Sequence, residues 1–162
     1  MTKFEVIKRR VLNYDEKPLL VIHDPHATSK EDIMPLVEAK FNNEHVNYQV
    51  RTSAGNEFEV LNMVKGDVDF EAISAIAIIG DDGTFQEVIN GMMLREDKKK
   101  VPVAFVPTCA DSDISWSLGI MGTDQALDLI VKKECIPIDT TRVLIDQENE
   151  ANLPEDPVER YK

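Results

Sequence analysis

The residues best placed to do chemistry are acids and small residues gathered in short turns. The most prominent is Gly80-Asp81-Asp82-Gly83-Thr84, inside ISAIAIIGDDGTFQEVINGMM from Ile73 to Met93. An apolar strand, a tight glycine turn and a helix N-terminus make an anion cradle, because free backbone N–H groups point at whatever sits there. The glycines allow backbone shapes that other residues resist, and Thr84 is placed to cap the helix. Asp24-Pro25-His26 follows PLLVIH, Thr52 follows Val46–Arg51, and PTCADSDISWSLG runs from Pro107 to Gly119. Asp24, Asp81, Asp82, Asp111 and Asp113 carry oxygen ligands suited to Mg²⁺ or Ca²⁺, but acidic turns commonly hold no metal and no metal site is expected. A lone loop histidine such as His26 is ordinarily just solvated.

These turns need elements to position them. Ile76 to Ile79 reads as a strand buried on both faces, as in parallel sheets. Phe85, Val88, Ile89, Met92 and Met93 then recur at helical spacing. Further strands are expected at Pro18–His23, Val46–Arg51 and Val101–Val106. A capping box at Ser29–Asp32 opens a helix to about Asn42, with Pro35 in its first turn. A second helix runs from Asn56 to Lys65, with Phe58, Leu61 and Val64 inward, and Gly66-Asp67 ends it. Thr123 caps a third, to about Lys133. The spacing of Phe4, Ile7, Val11 and Leu12 predicts a short helix within an extension over 1–17. Arg95–Lys100 reads as a solvated loop, and 146–162 as an acidic, proline-containing, extended tail. The alternation of strand and helix predicts an α/β fold, a three-layer αβα domain with a mainly parallel sheet over 18–145. Right-handed crossovers then bring Asp24, Asp81, Asp82, Thr108 and Asp113 to one sheet edge, where open α/β sheets bind ligands.

Composition narrows the partners. The chain has 162 residues, 43% of them hydrophobic, enough for one domain with a real core. A net charge of −12 makes a nucleic-acid backbone or an anionic membrane a poor partner by bulk attraction. Cys109 and Cys135 have no paired metal spacing and read as free or buried thiols. No transmembrane segment or secretory core is read from the sequence, so the expected location is intracellular, cytoplasmic or mitochondrial.

The turn and the helix after it resemble the diacylglycerol kinase catalytic domain family, whose loop reads G-G-D-G-T and leads into E-V-x-N-G. Gly80, Asp82, Gly83, Thr84, Glu87, Val88, Asn90 and Gly91 match; Asp81 replaces the second glycine. The resemblance implies a nucleotide-binding N-terminal domain with Asp24, Thr52, Gly80, Asp82, Gly83, Thr84, Glu87 and Asp113 near the nucleotide. Asp24-Pro25 stands where the family has N-P-x-S-G. The second loop resembles P-x-G-T-x-N-D-x-A-x-x-L-G, keeping Pro107, Asp113, Leu118 and Gly119 but carrying Cys109, Ala110 and Ser112 for the glycine, threonine and asparagine. Cys135–Val143 resembles the strand that leads, in the family, to a β-rich lipid-binding domain.

Asp81 places a carboxylate where a phosphate would approach. Like unit charges at about 4 Å repel by about 4 kcal/mol at an effective dielectric near 20, around three powers of ten in affinity. The expected function is therefore a degenerate lipid-kinase-like domain serving as a non-catalytic subunit of a larger protein assembly, with no resident cofactor. The competing reading is an active ATP-dependent lipid kinase, or its nucleotide-binding half, using ATP and Mg²⁺ and reaching lipid through a second domain or a separate chain.

Overall fold

The computed structural model describes residues 10–27 and 32–141. Its elements in order are β1 (Arg10–Val11), β2 (Leu19–His23), α1 (Met34–Asn43), β3 (Tyr48–Thr52), α2 (Glu59–Asn62), a π-helical turn (Met63–Asp67), β4 (Ala75–Gly80), α3 (Asp82–Met93), β5 (Val103–Pro107), α4 (Asp113–Leu118), α5 (Thr123–Val131) and β6 (Glu134–Cys135). The central sheet is all parallel, in the order β3-β2-β4-β5. Helices α1 and α5 pack together, as do α2 and α3, which gives the expected three layers. The strand order reverses direction between β2 and β4, so the ligand-binding crevice of such folds falls between His23 and Gly80.

Both faces of β4 are covered, and every one of its residues is buried. Leu19, Val21, Ile22, Ile76, Ile78 and Ile79 form the centre of the core, joined by Val37 and Phe41 from α1, Val88 from α3, and Leu127 from α5. Phe85 on α3 meets Phe105 on β5 edge to face at 5.1 Å.

Several expectations need correction. The predicted helix over 1–17 does not form where the chain is described. Arg10–Val11 is a strand paired antiparallel with Glu134–Cys135, and Leu12 and Tyr14 are buried, with the Tyr14 hydroxyl donating to Ile130 O at 3.1 Å. Helix α1 starts at Met34, its first N–H accepted by Asp32 rather than by a capping box; Ser29 lies outside the described residues, and Pro35 sits in the first turn. The predicted helix over Asn56–Lys65 is broken. Phe58 turns outward with φ at 56° and Leu61 is only half-buried; Val64 is buried as expected, joined by Val60. The π-helical turn runs through Gly66 and closes with the Val68 N–H on Met63 O.

Arg95 is no part of a solvated loop. Its guanidinium donates to Val64 O and Val68 O at 2.7 and 2.9 Å, pairs with both oxygens of Asp97, and lies 3.9 Å from the centre of the Phe70 ring. It supplies donors for carbonyls that the π-helical turn leaves over. Gly122, not Thr123, occupies the cap position of α5, and the Thr123 hydroxyl donates to Pro107 O. The strand predicted from Cys135 to Val143 ends at Cys135; Ile136 and Ile138 follow, exposed, without regular structure. The predicted tail lies outside the described residues.

Candidate functional site

The C-terminal ends of β2, β4 and β5 meet at the switch point, and carboxylates occupy it. Asp81, not Thr84, caps α3: its Oδ1 accepts the Thr84 N–H at 2.9 Å. The Thr84 side chain is buried, and its hydroxyl lies 3.0 Å from Asp24 Oδ2 and 3.1 Å from Asp81 Oδ1. One hydroxyl proton therefore serves two carboxylates. Asp24 Oδ1 accepts the His26 N–H, closing the turn after β2.

The loop glycines matter for space rather than for backbone shape, since neither Gly80 nor Gly83 has a positive φ. A Cβ on Gly80 would come within 2.7 Å of the Thr84 hydroxyl. One on Gly83 would sit 3.2 Å from Asp81 Oδ1, so the Asp81 carboxylate lies over Gly83.

Asp82 reaches across to the second loop. Its Oδ2 accepts the Asp113 and Ile114 N–H groups at 3.0 and 3.3 Å, and its Oδ1 takes the Ser112 hydroxyl. Ser112 in turn caps α4, accepting the Ser115 N–H at 2.9 Å. Asp113 joins the cluster through its backbone; its side chain is exposed. Burial, followed by the Asp82 charge, pushes the Cys109 thiol above its usual range, which holds it protonated rather than as a nucleophilic thiolate. Thr108 Oγ1 is buried without a hydrogen-bond partner.

Two predicted site residues lie apart. Thr52 ends the edge strand β3 in register with His23, and is exposed. Glu87 points to α2, where its Oε2 accepts the Leu61 N–H at 3.1 Å. The sequence reading missed Glu59. Its carboxylate takes the Ala54 N–H at 3.0 and 3.1 Å and the Asn56 N–H at 3.2 Å, organising the turn after β3. Those bonds hold its carboxyl below the ordinary range. The signal was an acid shortly after a Ser-Ala-Gly-Asn turn. Among the described residues, no group of three or more His, Cys, Asp or Glu side chains is arranged to hold a metal ion, and no helix is long and apolar enough to cross a membrane.

The family model for the diacylglycerol kinase catalytic domain matches residues 18–143. Mouse mitochondrial acylglycerol kinase is 31% identical over 87 residues, 48% of this chain and 21% of that protein. Sphingoid long-chain bases kinase 1 of Arabidopsis thaliana is 30% identical over 123 residues, 70% of this chain and 16% of that one. A diacylglycerol kinase structure from Bacillus anthracis superposes with a TM-score of 0.58 at 21% identity, over 72% of this chain and 42% of its own. The matched regions thus span 21% or less of these two curated relatives' length. The resemblance read from the Gly80–Gly91 motif is met by a match over most of the chain, and the chain belongs to the diacylglycerol kinase catalytic domain family.

Proposed function

We propose that this chain is a non-catalytic lipid-kinase-like domain that serves as a structural and interaction subunit of a larger protein assembly. One observation carries the reading. In each loop at the C-terminal sheet edge, backbone N–H donors of the kind that would receive a phosphate are held by the domain's own carboxylates: Asp24 after β2, Glu59 after β3, Asp81 after β4 and Asp82 after β5. An arriving phosphate would have to displace these acceptors and then face their charge. The donor set therefore fits a nucleotide phosphate poorly, and no phosphoryl-transfer step is derived through it. ATP and Mg²⁺ are not expected as resident ligands. The expected partners are proteins, in an intracellular compartment, cytoplasmic or mitochondrial; the similarity to mitochondrial acylglycerol kinase favours the latter.

Calorimetric titration with Mg–ATP tests this. The wild-type chain should give no binding up to millimolar nucleotide, and micromolar binding would sink the reading. Asp81→Gly should recover weak affinity by freeing the Thr84 N–H and the space over Gly83. Adding Cys109→Gly, Ala110→Thr and Ser112→Asn should recover more, and non-additively if both loops touch one ligand.

A further inference from the structure

At the end of the sheet opposite the acidic edge, the chain forms a cleft of about 420 Å³, within the size range of small-molecule sites. Three segments wall it, each just before a strand: 11–17 before β2, 70–74 before β4 and 99–102 before β5. These walls are tied in place. The Leu12 N–H donates to Lys133 O at 2.7 Å, the Ser74 N–H to Pro18 O at 3.0 Å and the Lys99 N–H to Asp97 Oδ1 at 3.1 Å. Arg95, which pairs with Asp97, also lies against the Phe70 ring. The inner lining is apolar: Leu12, Phe70 and Ile73 are buried and Val101 is half-buried.

The charged lining residues stand at the mouth. They are Lys17, Lys99 and Lys100 against Glu16 and Glu71, a local surplus of cations in a chain of net charge −12. Lys99 Nζ lies 2.9 Å from Glu71 Oε1, and Lys17 Nζ 3.9 Å from Glu71 Oε2. Two amines thus converge on one carboxylate. Lys99 first, and then Lys17, hold that carboxyl below its ordinary range. Lys100 is in no salt bridge among the described residues. The mouth therefore favours an anion, and the exposed Glu71 pairs are weak competitors for it. The acids of the opposite edge differ, since they hold the backbone N–H groups of the loops they shape. We propose that this cleft binds a small amphiphilic anion, an alkyl or aryl body capped by a carboxylate or phosphate. The body lies against Leu12, Phe70 and Ile73, and the head among Lys17, Lys99 and Lys100. The site is separate from the loops described above and stands whether or not they bind nucleotide.

Calorimetric titration of the full chain tests this, with octanoate and octyl phosphate as probes at submicellar concentration. Octylamine, of opposite charge, and inorganic phosphate, without an apolar body, serve as controls. Saturable binding of either octyl anion supports the site, and the tighter of the two names its head group. Salt should weaken that binding, and both controls should bind at least about tenfold less tightly. Lys17→Gln with Lys100→Gln should weaken the anion by roughly tenfold. Glu71→Gln should strengthen it by about threefold or more, because two amines lose their internal counter-ion. A merely structural Glu71 would give no such gain. No saturable heat at millimolar probe overturns the proposal. So does octylamine binding as tightly as octanoate, inorganic phosphate binding as tightly as octyl phosphate, or an affinity that Glu71→Gln leaves unchanged or lowers.

Discussion

Helix α3 has two halves of different character. At its N-terminus, Asp81 and Thr84 meet Asp24, and polar groups settle one another's hydrogen bonds. One turn further on, the helix is pressed against α2. A Cβ on Gly91 would lie 2.5 Å from Leu61 O and 3.0 Å from the Val64 side chain, and Glu87 holds the Leu61 N–H. Both halves carry residues of the family motif, but for different physical reasons. Glu87, Val88 and Gly91 are what two closely packed helices require, whatever the loop binds. At the loop, by contrast, Asp81 stands where the motif has glycine, and its carboxylate caps the helix by accepting the Thr84 N–H. A matching motif can thus report packing rather than chemistry.

The comparison breaks first at the packed half. Gly91→Val should cost about 3 kcal/mol, since backbone rather than a flexible side chain stands in the way. Urea unfolding measures this, and a loss below 1 kcal/mol would show that the helices can separate freely. Arg95→Met should cost about 2 kcal/mol by leaving Val64 O and Val68 O without their donor. Faster amide exchange confined to the π-helical turn would accompany it. At the loop half, Asp81→Ala should cost only about 1 kcal/mol, the ordinary worth of a helix cap. A cost matching that of Gly91→Val would erase the distinction between the halves.

The smallest effect asks whether close packing extends to the segment before β2. Tyr14→Phe should cost about 0.5 kcal/mol at neutral pH through the lost bond to Ile130 O. Burial pushes the Tyr14 hydroxyl up to about 12. The stability carried by its neutral form is complete below the unfolded value near 10 and is lost as pH rises towards 12. The variant should therefore overtake the wild type in thermal melts across that window. Parallel curves would mean that Tyr14 is open to water.

The sequence was readable where burial is uniform and contacts are local. Ile76–Ile79 is a continuous apolar run because helices cover both faces of β4, and a solvated face would have broken it with polar residues. It was unreadable where distant groups decide. Arg95 folds onto carbonyls some thirty residues earlier, and no local pattern distinguishes it from the lysines that follow. Tyr14 and Leu12 take their places through Ile130 and Lys133, far along the chain. At the site, Asp81 and Thr84 are both good caps by type. Only the fold, which aims Asp81 back along the helix and buries Thr84 against Asp24, decides which one serves.

The pairing of Arg10 with Cys135 brings the segment before β2 against the segment after α5. They lie at the far end of the sheet from the acidic edge, because α5 starts beside Pro107 and runs away from it. Topologically the domain is nearly a closed ring, fastened by a two-residue ladder. Tension applied through both flanks would open that ladder one bond at a time and leave the central strands unloaded. A host chain could likewise take in the whole unit at a single loop without moving its own ends apart.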